Sequence, residues 1–181
     1  MTDEQLMSQV KGGQLNVLNA LFERYSPRIY SYFLKSTLDK SDSDDLTQEL
    51  FIRVLKYRKS YKEAQRFELW VFQIARNMIK DHFKKMKVHR DHIYDTEIIP
   101  DIAEENRSEE MERESLLYQA MHHLDPDKRE LLVLSKFNGM KYEQIAKLRK
   151  TSVSNIKVQV HRTIKELKTI YFEQKDLSYG A

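Results

Sequence analysis

Residues 152 to 162 read Ser-Val-Ser-Asn-Ile-Lys-Val-Gln-Val-His-Arg, a dense set of groups able to read nucleic acid. Ser152, Ser154, Asn155, Lys157, Gln159, His161 and Arg162 supply hydroxyls, amides, an imidazole and cations. Ile156, Val160, Ile164 and Leu167 recur among them at helical spacing. Asn and Gln pair with adenine edges through two hydrogen bonds, while Lys and Arg serve guanine or phosphate. A helix held by its apolar stripe leaves the other face free for a major groove. The same spacing also describes a basic surface helix with no ligand.

A second set spans residues 57 to 70. Tyr57, Tyr61 and Phe67 interleave with Arg58, Lys59, Lys62 and Arg66, and Trp70 follows. Aromatic rings give unpaired bases a stacking face and cations hold the backbone, which is what a single-strand site requires. Tyrosines at helical spacing also serve as half-buried packing residues, and Trp70 fits a core position. No converging catalytic set stands beside these. There is no glycine-rich phosphate loop, and His82, His89, His92, His122, His123 and His161 are scattered. We therefore expect no enzyme, no cofactor and no metal site.

The elements that must position these residues are helical. Only 4 Gly and 3 Pro in 181 residues, with a 33% charged share, favour long exposed helices, so the expected fold class is all-α. Leu15, Leu18, Leu21, Phe22 and Tyr25 predict one helix. Ser26-Pro27 predicts the cap of the next, with Ile29, Phe33 and Leu34 inward. A third, capped by Ser41 or Ser43, carries Leu46, Leu50, Phe51, Val54 and Leu55 inward and Asp44 and Asp45 in its first turn. From Phe67 a fourth runs through Trp70, Val71, Ile74, Ala75, Met78 and Ile79 to the basic residues near Lys84.

Residues 88 to 111 lose helical period, gain Pro100 and turn acidic, so two small helical domains, 1–87 and 112–175, are expected on either side of a flexible linker. That linker reads either as a segment threading near the nucleic-acid path or as a solvated tether. Leu116, Leu117, Ala120 and Leu124 open the second module. Asp125-Pro126 caps the next helix, Leu131, Leu132, Leu134 and Phe137 turn inward, and Asn138-Gly139 ends it. Tyr142 to Arg149 and the helix from Val153, with Ser152 as its cap, then form a helix-turn-helix. Residues 176–181 read as an unstructured tail.

The net charge of +3 is too small to argue a partner, but its distribution is blocked. Basic stretches at 56–66, 76–90 and 141–168 surround ten carboxylates between 91 and 114. The absence of cysteine excludes disulfides and thiolate metal sites. No apolar run approaches the roughly 18 residues of a membrane span, and the acidic start lacks a signal-peptide core. A soluble cytoplasmic protein without membrane insertion is the resulting expectation.

The stretch Asp44-Asp45-Leu46-Thr47-Gln48-Glu49-Leu50-Phe51, with Phe67-Glu68-Leu69-Trp70-Val71-Phe72-Gln73-Ile74-Ala75-Arg76-Asn77 and Asp81, resembles the second conserved region of extracytoplasmic-function sigma factors. Leu124-Asp125-Pro126, Arg129, Gln144-Ile145-Ala146 and residues 152–162 are similar to their fourth region. Together the two matches cover about residues 10 to 85 and 112 to 170.

The resemblance implies partners: RNA polymerase core, promoter DNA and an anti-sigma factor. It implies that Asp44, Asp45, Leu46, Gln48 and Glu49 dock on the polymerase. Tyr57, Arg58, Tyr61, Lys62 and Arg66 would belong to a loop that captures a flipped base of the minus-ten element. Trp70, Arg76, Asn77, Lys80 and Lys84 would meet the duplex edge and backbone there. The helix from Val153 would read the minus-thirty-five element.

The chain departs from the family at the helix-turn-helix turn, where Arg149-Lys150 stands in place of the common Leu-Gly, so a non-glycine residue must adopt the turn or the turn differs. Gln159 stands where Arg is frequent. Two rival readings remain from sequence: a helix-turn-helix regulator that binds duplex DNA without polymerase, and a module that sequesters another factor through its amphipathic helices.

Overall fold

Every regular element is helical in a computed structural model that describes residues 1–90 and 109–179. The chain divides into two compact units, Met1–Glu97 and Ile98–Ala181.

The first unit begins with α1, Asp3–Lys11. Thr2 Oγ1 accepts from Gln5 N at 3.2 Å and Gln5 Oε1 accepts from Thr2 N at 2.8 Å, a reciprocal cap that satisfies two otherwise orphaned donors. Leu6, Met7 and Val10 are buried. A single-turn helix, Leu15–Val17, leads into α2, Leu18–Thr37.

Pro27 lies inside α2 instead of starting a new helix. An interior proline costs about 3 kcal/mol. The buried positions Leu21, Tyr25, Ile29, Tyr32, Phe33 and Ser36 keep one helical phase across it, so the packing of a continuous stripe offsets that cost. Phe22, expected inward, is exposed and meets Phe51 edge-on at 4.7 Å between ring centres. Leu15 is exposed too.

α3 is Lys40–Tyr57, and its cap is Asp39, whose carboxylate accepts from Asp42 N at 2.8 Å. The expected caps, Ser41 and Ser43, both lie inside the helix, which moves Asp44 and Asp45 beyond the first turn. Ser43 is instead buried, with its hydroxyl donating to the Asp39 carbonyl. Leu50, Phe51 and Val54 face the core. α4, Phe67–Arg90, buries Phe67, Trp70, Val71, Phe72, Ala75, Met78 and Ile79 against the other helices of the unit.

α4 runs past the expected domain end at 87, and the second unit opens with α5, Glu109–His122, so both edges of the expected linker are helix. The acidic stretch itself, 91–108, lies outside the described residues. Asp125 caps α6, Pro126–Leu132, by accepting from Asp127 N at 2.9 Å. Past Leu132 the helix widens over Val133–Phe137, where Asn138 N reaches back to the Val133 carbonyl at 2.9 Å. That extra residue in the turn carries Phe137 out to solvent, against expectation. Gly139, at φ 62°, then turns the chain. α7 is Tyr142–Arg149 and α8 is Val153–Tyr179, with α5, α6 and α7 packed on α8. Helix up to Tyr179 replaces most of the expected unstructured tail.

Candidate nucleic-acid and polymerase interfaces

The turn between α7 and α8 is closed by two backbone hydrogen bonds. Lys150 N donates to the Lys147 carbonyl at 3.3 Å and Thr151 N to the Ala146 carbonyl at 3.0 Å. With Lys150 left-handed at φ 52° and ψ 50°, this is a complete Schellman turn with lysine in the usual glycine position. Ser152 Oγ accepts from Asn155 N at 3.1 Å and so starts α8.

Arg149 acquires a role that its sequence neighbours do not reveal. Its guanidinium donates to the Asp127 carbonyl and carboxylate, both at 3.1 Å, and lies 3.7 Å from the buried carboxylate of Glu130. The departure from Leu-Gly therefore fastens the turn to the start of α6. Lys128 makes a parallel tie to Glu166 of α8 at 2.7 Å. Beneath it Arg129 donates to the His122 and Leu124 carbonyls, and burial pulls its guanidinium down to about 10.

α8 is held by Ile156, Val160 and Thr163, with Ile164 and Leu167 half-buried. Ser152, Ser154, Asn155, Lys157, His161 and Arg162 are exposed, and Gln159 is half-buried. At about 100° per residue, the direction opposite Ile156 and Val160 is marked by Ser154, Val158 and Lys165. Lys157 and Gln159 thus sit on the flanks. Val158, 46% exposed, occupies the centre. It belongs to neither the inward stripe nor the contact set expected from sequence, although its offset of two from both Ile156 and Val160 places it across the helix. Asn155 Nδ2 donates to Thr151 Oγ1 at 2.8 Å, which holds the amide at the entry of the helix.

The aromatic segment before α4 is built differently. Tyr61 is 1% exposed and Trp70 8%, and their rings meet at 5.3 Å. Phe67 joins both and also Tyr25, at 5.0 Å. Both rings are thus buried in the core of the unit, where the expected stacking roles of Tyr61 and Trp70 call for exposed faces. Sequence could not separate the cases because ring spacing is the same in both. Tyr61 Oη donates to the Gln65 carbonyl at 2.6 Å, and burial, with Glu4, Asp3 and Glu63 nearby, pushes its hydroxyl up to about 12. Tyr25 shifts further in the same direction, from burial and from its hydrogen bond to Asp3.

The loop keeps exposed groups over this core. Tyr57, Lys62 and Arg66 face solvent and Arg58 is half-buried, donating to the Leu55 carbonyl. Lys56 Nζ lies 5.7 Å from the Tyr57 ring centre. On α4, Asn77, Lys80 and Lys84 are exposed, whereas Arg76 is buried and drops out of the surface set.

On α3, Asp44, Asp45 and Gln48 are exposed together. Leu46 and Glu49 are half-buried, and Glu49 accepts from Arg53 at 2.9 Å. Ile52, 58% exposed, continues the outer face; it stands outside the expected stripe, and its offset of two from Leu50 and Val54 is the signal that places it there. Among the described residues no group of His, Asp or Glu is placed to hold a metal ion, and no helix is long and apolar enough to cross a membrane.

Two family models match the chain, Sigma-70 region 2 over residues 21–88 and Sigma-70, region 4 over residues 114–167. The sigma factor CarQ of Myxococcus xanthus is 30% identical, over 92% of this chain and 96% of the relative. The extracytoplasmic-function sigma factor SigX of Bacillus subtilis is 26% identical, over 82% and 80%. The chain is an RNA polymerase sigma factor of the extracytoplasmic-function type. Its fold is that of the sigma factor RpoE solved with the anti-sigma factor NepR from Bartonella quintana, at a TM-score of 0.69 and 18% identity, covering 84% of this chain and 95% of that one.

As a sigma factor the protein works with RNA polymerase core on promoter DNA. The rival of a regulator acting without polymerase gives no account of the region 2 match. This sigma factor presents three surfaces: the α3 face, the loop with α4, and the outer face of α8.

Proposed function

We propose that this sigma factor divides promoter recognition between its two units. In the first, the α3 face of Asp44, Asp45 and Gln48 docks on polymerase, with Ile52 as its apolar centre and Leu46 and Glu49 supporting it from the edge. The loop of Tyr57, Arg58, Lys62 and Arg66, with Asn77, Lys80 and Lys84, holds the minus-ten element and rewards its unpaired state. Binding energy for an extruded base offsets the few kcal/mol of unstacking, so no ATP is needed.

In the second unit α8 reads the minus-thirty-five duplex. Asn155 and Val158 face base edges, Val158 as an apolar contact for a thymine methyl, while Ser152, Ser154, Lys157, His161 and Arg162 contact phosphate or base edges and Gln159 borders the groove. The observation that carries this reading is the exposed cationic and amide face of α8, fixed at its start by the Ser152 cap and the Lys150 turn.

The protein works in the cytoplasm as a DNA-binding factor and not as an enzyme. An anti-sigma factor is a further partner, as the Bartonella quintana complex illustrates for RpoE.

Reconstitution tests the whole. With core polymerase, the chain should direct opening of promoters recovered from a randomised pool. Asp45→Lys should weaken its affinity for core about tenfold through charge reversal at the interface. Core binding unchanged by Asp45→Lys would remove the α3 face, and no opening with core would remove the division of labour.

A further inference from the structure

Helix α1 lies outside the residues that match region 2, which begin at 21. It nevertheless grips the segment 61–67 at three points. Lys11 Nζ donates to the Tyr61 carbonyl at 2.8 Å, Ser8 Oγ donates to Glu63 Oε1 at 3.3 Å, and Glu4 Oε1 accepts from Phe67 N at 3.2 Å. Positions 4, 8 and 11 fall on one helical face. Leu6, Met7 and Val10 form a separate stripe that seats α1 on α2 and α4.

The three contacts are distributed along the loop. Lys11 holds its entry, Ser8 its middle and Glu4 its exit, where the carboxylate also meets the unsatisfied N–H groups and positive end of α4. Between them Lys62, Glu63, Ala64 and Arg66 are exposed. A loop fixed at both ends loses less conformational freedom when it closes on a ligand, so binding is strengthened by preorganisation. All three contacts are charge-assisted, and the Lys11 contact is the shortest of them, at 2.8 Å.

We propose that α1 is a strap that positions the 61–66 loop for an unpaired promoter base, with Lys11 as the principal positioning residue. This rests on the reading of that loop as the minus-ten contact. Lys11 acts on the DNA only through the Tyr61 carbonyl and the backbone that follows it.

The test uses the full chain with core polymerase on a promoter that the wild-type holoenzyme selects from a randomised pool, and on a copy with its minus-ten bases replaced. The readout is the ratio of opening on the two templates, followed by permanganate reactivity of unpaired thymines. A merely destabilised protein has fewer active molecules and opens both templates less, leaving the ratio unchanged. A mispositioned loop narrows the ratio.

Lys11→Met is expected to narrow it about tenfold, as loss of one charge-assisted hydrogen bond predicts. Lys11→Arg should restore it to within about twofold, and Ser8→Ala should narrow it by about twofold. Lys62→Ala with Arg66→Ala reports on the loop itself. If that pair narrows the ratio and Lys11→Met does not, the strap is overturned alone. If the pair leaves the ratio intact, the loop reading falls and the strap with it.

Discussion

The outer face of α8 and the segment from Tyr57 to Trp70 are both cation-rich stretches with ligand-like residues between the charges, and the fold uses them in opposite ways. α8 buries Ile156, Val160 and Thr163 and turns amides, cations and Val158 outward. The segment from Tyr57 to Trp70 turns the rings of Tyr61, Phe67 and Trp70 inward and leaves Tyr57, cations and backbone at the surface. A duplex offers a groove of fixed shape, so a rigid helix presenting side chains suits it. In the proposed reading the loop holds an unpaired base, and the buried rings of Tyr61, Phe67 and Trp70 give it a floor.

The largest effect that could break this contrast is expected at Trp70. If the ring is floor and not a stacking face, Trp70→Ala should cost the first unit about 3–5 kcal/mol, and Trp70→Phe much less. Denaturant unfolding checks it. A Trp70→Ala protein of normal stability that fails to open promoters would reinstate stacking and erase the distinction.

Next comes α8. Lys157→Ala and Arg162→Ala should each lower the slope of log affinity against log salt by about 1 on minus-thirty-five duplex, if each contacts phosphate. Val158→Ser should instead leave the slope alone and reduce preference for thymine by several-fold, since one methyl contact is worth about 1 kcal/mol. Fluorescence anisotropy across a salt series separates the two. An unchanged slope in both cation variants would return α8 to an ordinary basic surface.

Alkaline pH probes the floor more gently. The Tyr61 hydroxyl is raised from 10.0 to about 12, so the neutral form is favoured in the folded unit. The unfolded chain ionises first, and the stability that Tyr61 contributes is full below pH 10 and declines as pH rises towards 12. Tyr61→Phe should make this decline shallower in thermal unfolding followed at several pH values, with Tyr25 supplying the remainder. An identical decline in the variant would show that Tyr61 ionises as freely folded as unfolded.

The smallest effect lies at the α7–α8 turn. Lys150→Gly should stabilise the second unit by about 1 kcal/mol, because glycine takes the left-handed conformation without strain. Thermal unfolding measures it, and a loss of stability would mean that the Lys150 side chain contributes more than its backbone costs.

Much of the second unit was legible in its sequence. Asp125-Pro126, Ser152 and the spacing of Ile156 and Val160 act within a turn or two of themselves, so the caps and the outward face follow from local geometry. The first unit was less legible. Pro27 reads as a helix start by local rules, and only a stripe packed on both sides of it keeps α2 whole. Asp39 won the α3 cap from Ser41 and Ser43 because the helix begins earlier than its apolar pattern. Arg76 and Glu49 have charged side chains typical of a surface, and the surrounding helices bury the one largely and the other in part.

By itself, then, the sequence determined the helical class, the two ordered recognition motifs and the polar face of α8, since each depends on residues close along the chain. Tertiary structure alone decided that the rings of Tyr61 and Trp70 are buried beneath the loop, and that Lys11, Ser8 and Glu4 reach it from α1. Those outcomes depend on partners 50, 55 and 63 residues away for the α1 contacts, a separation over which spacing carries no signal.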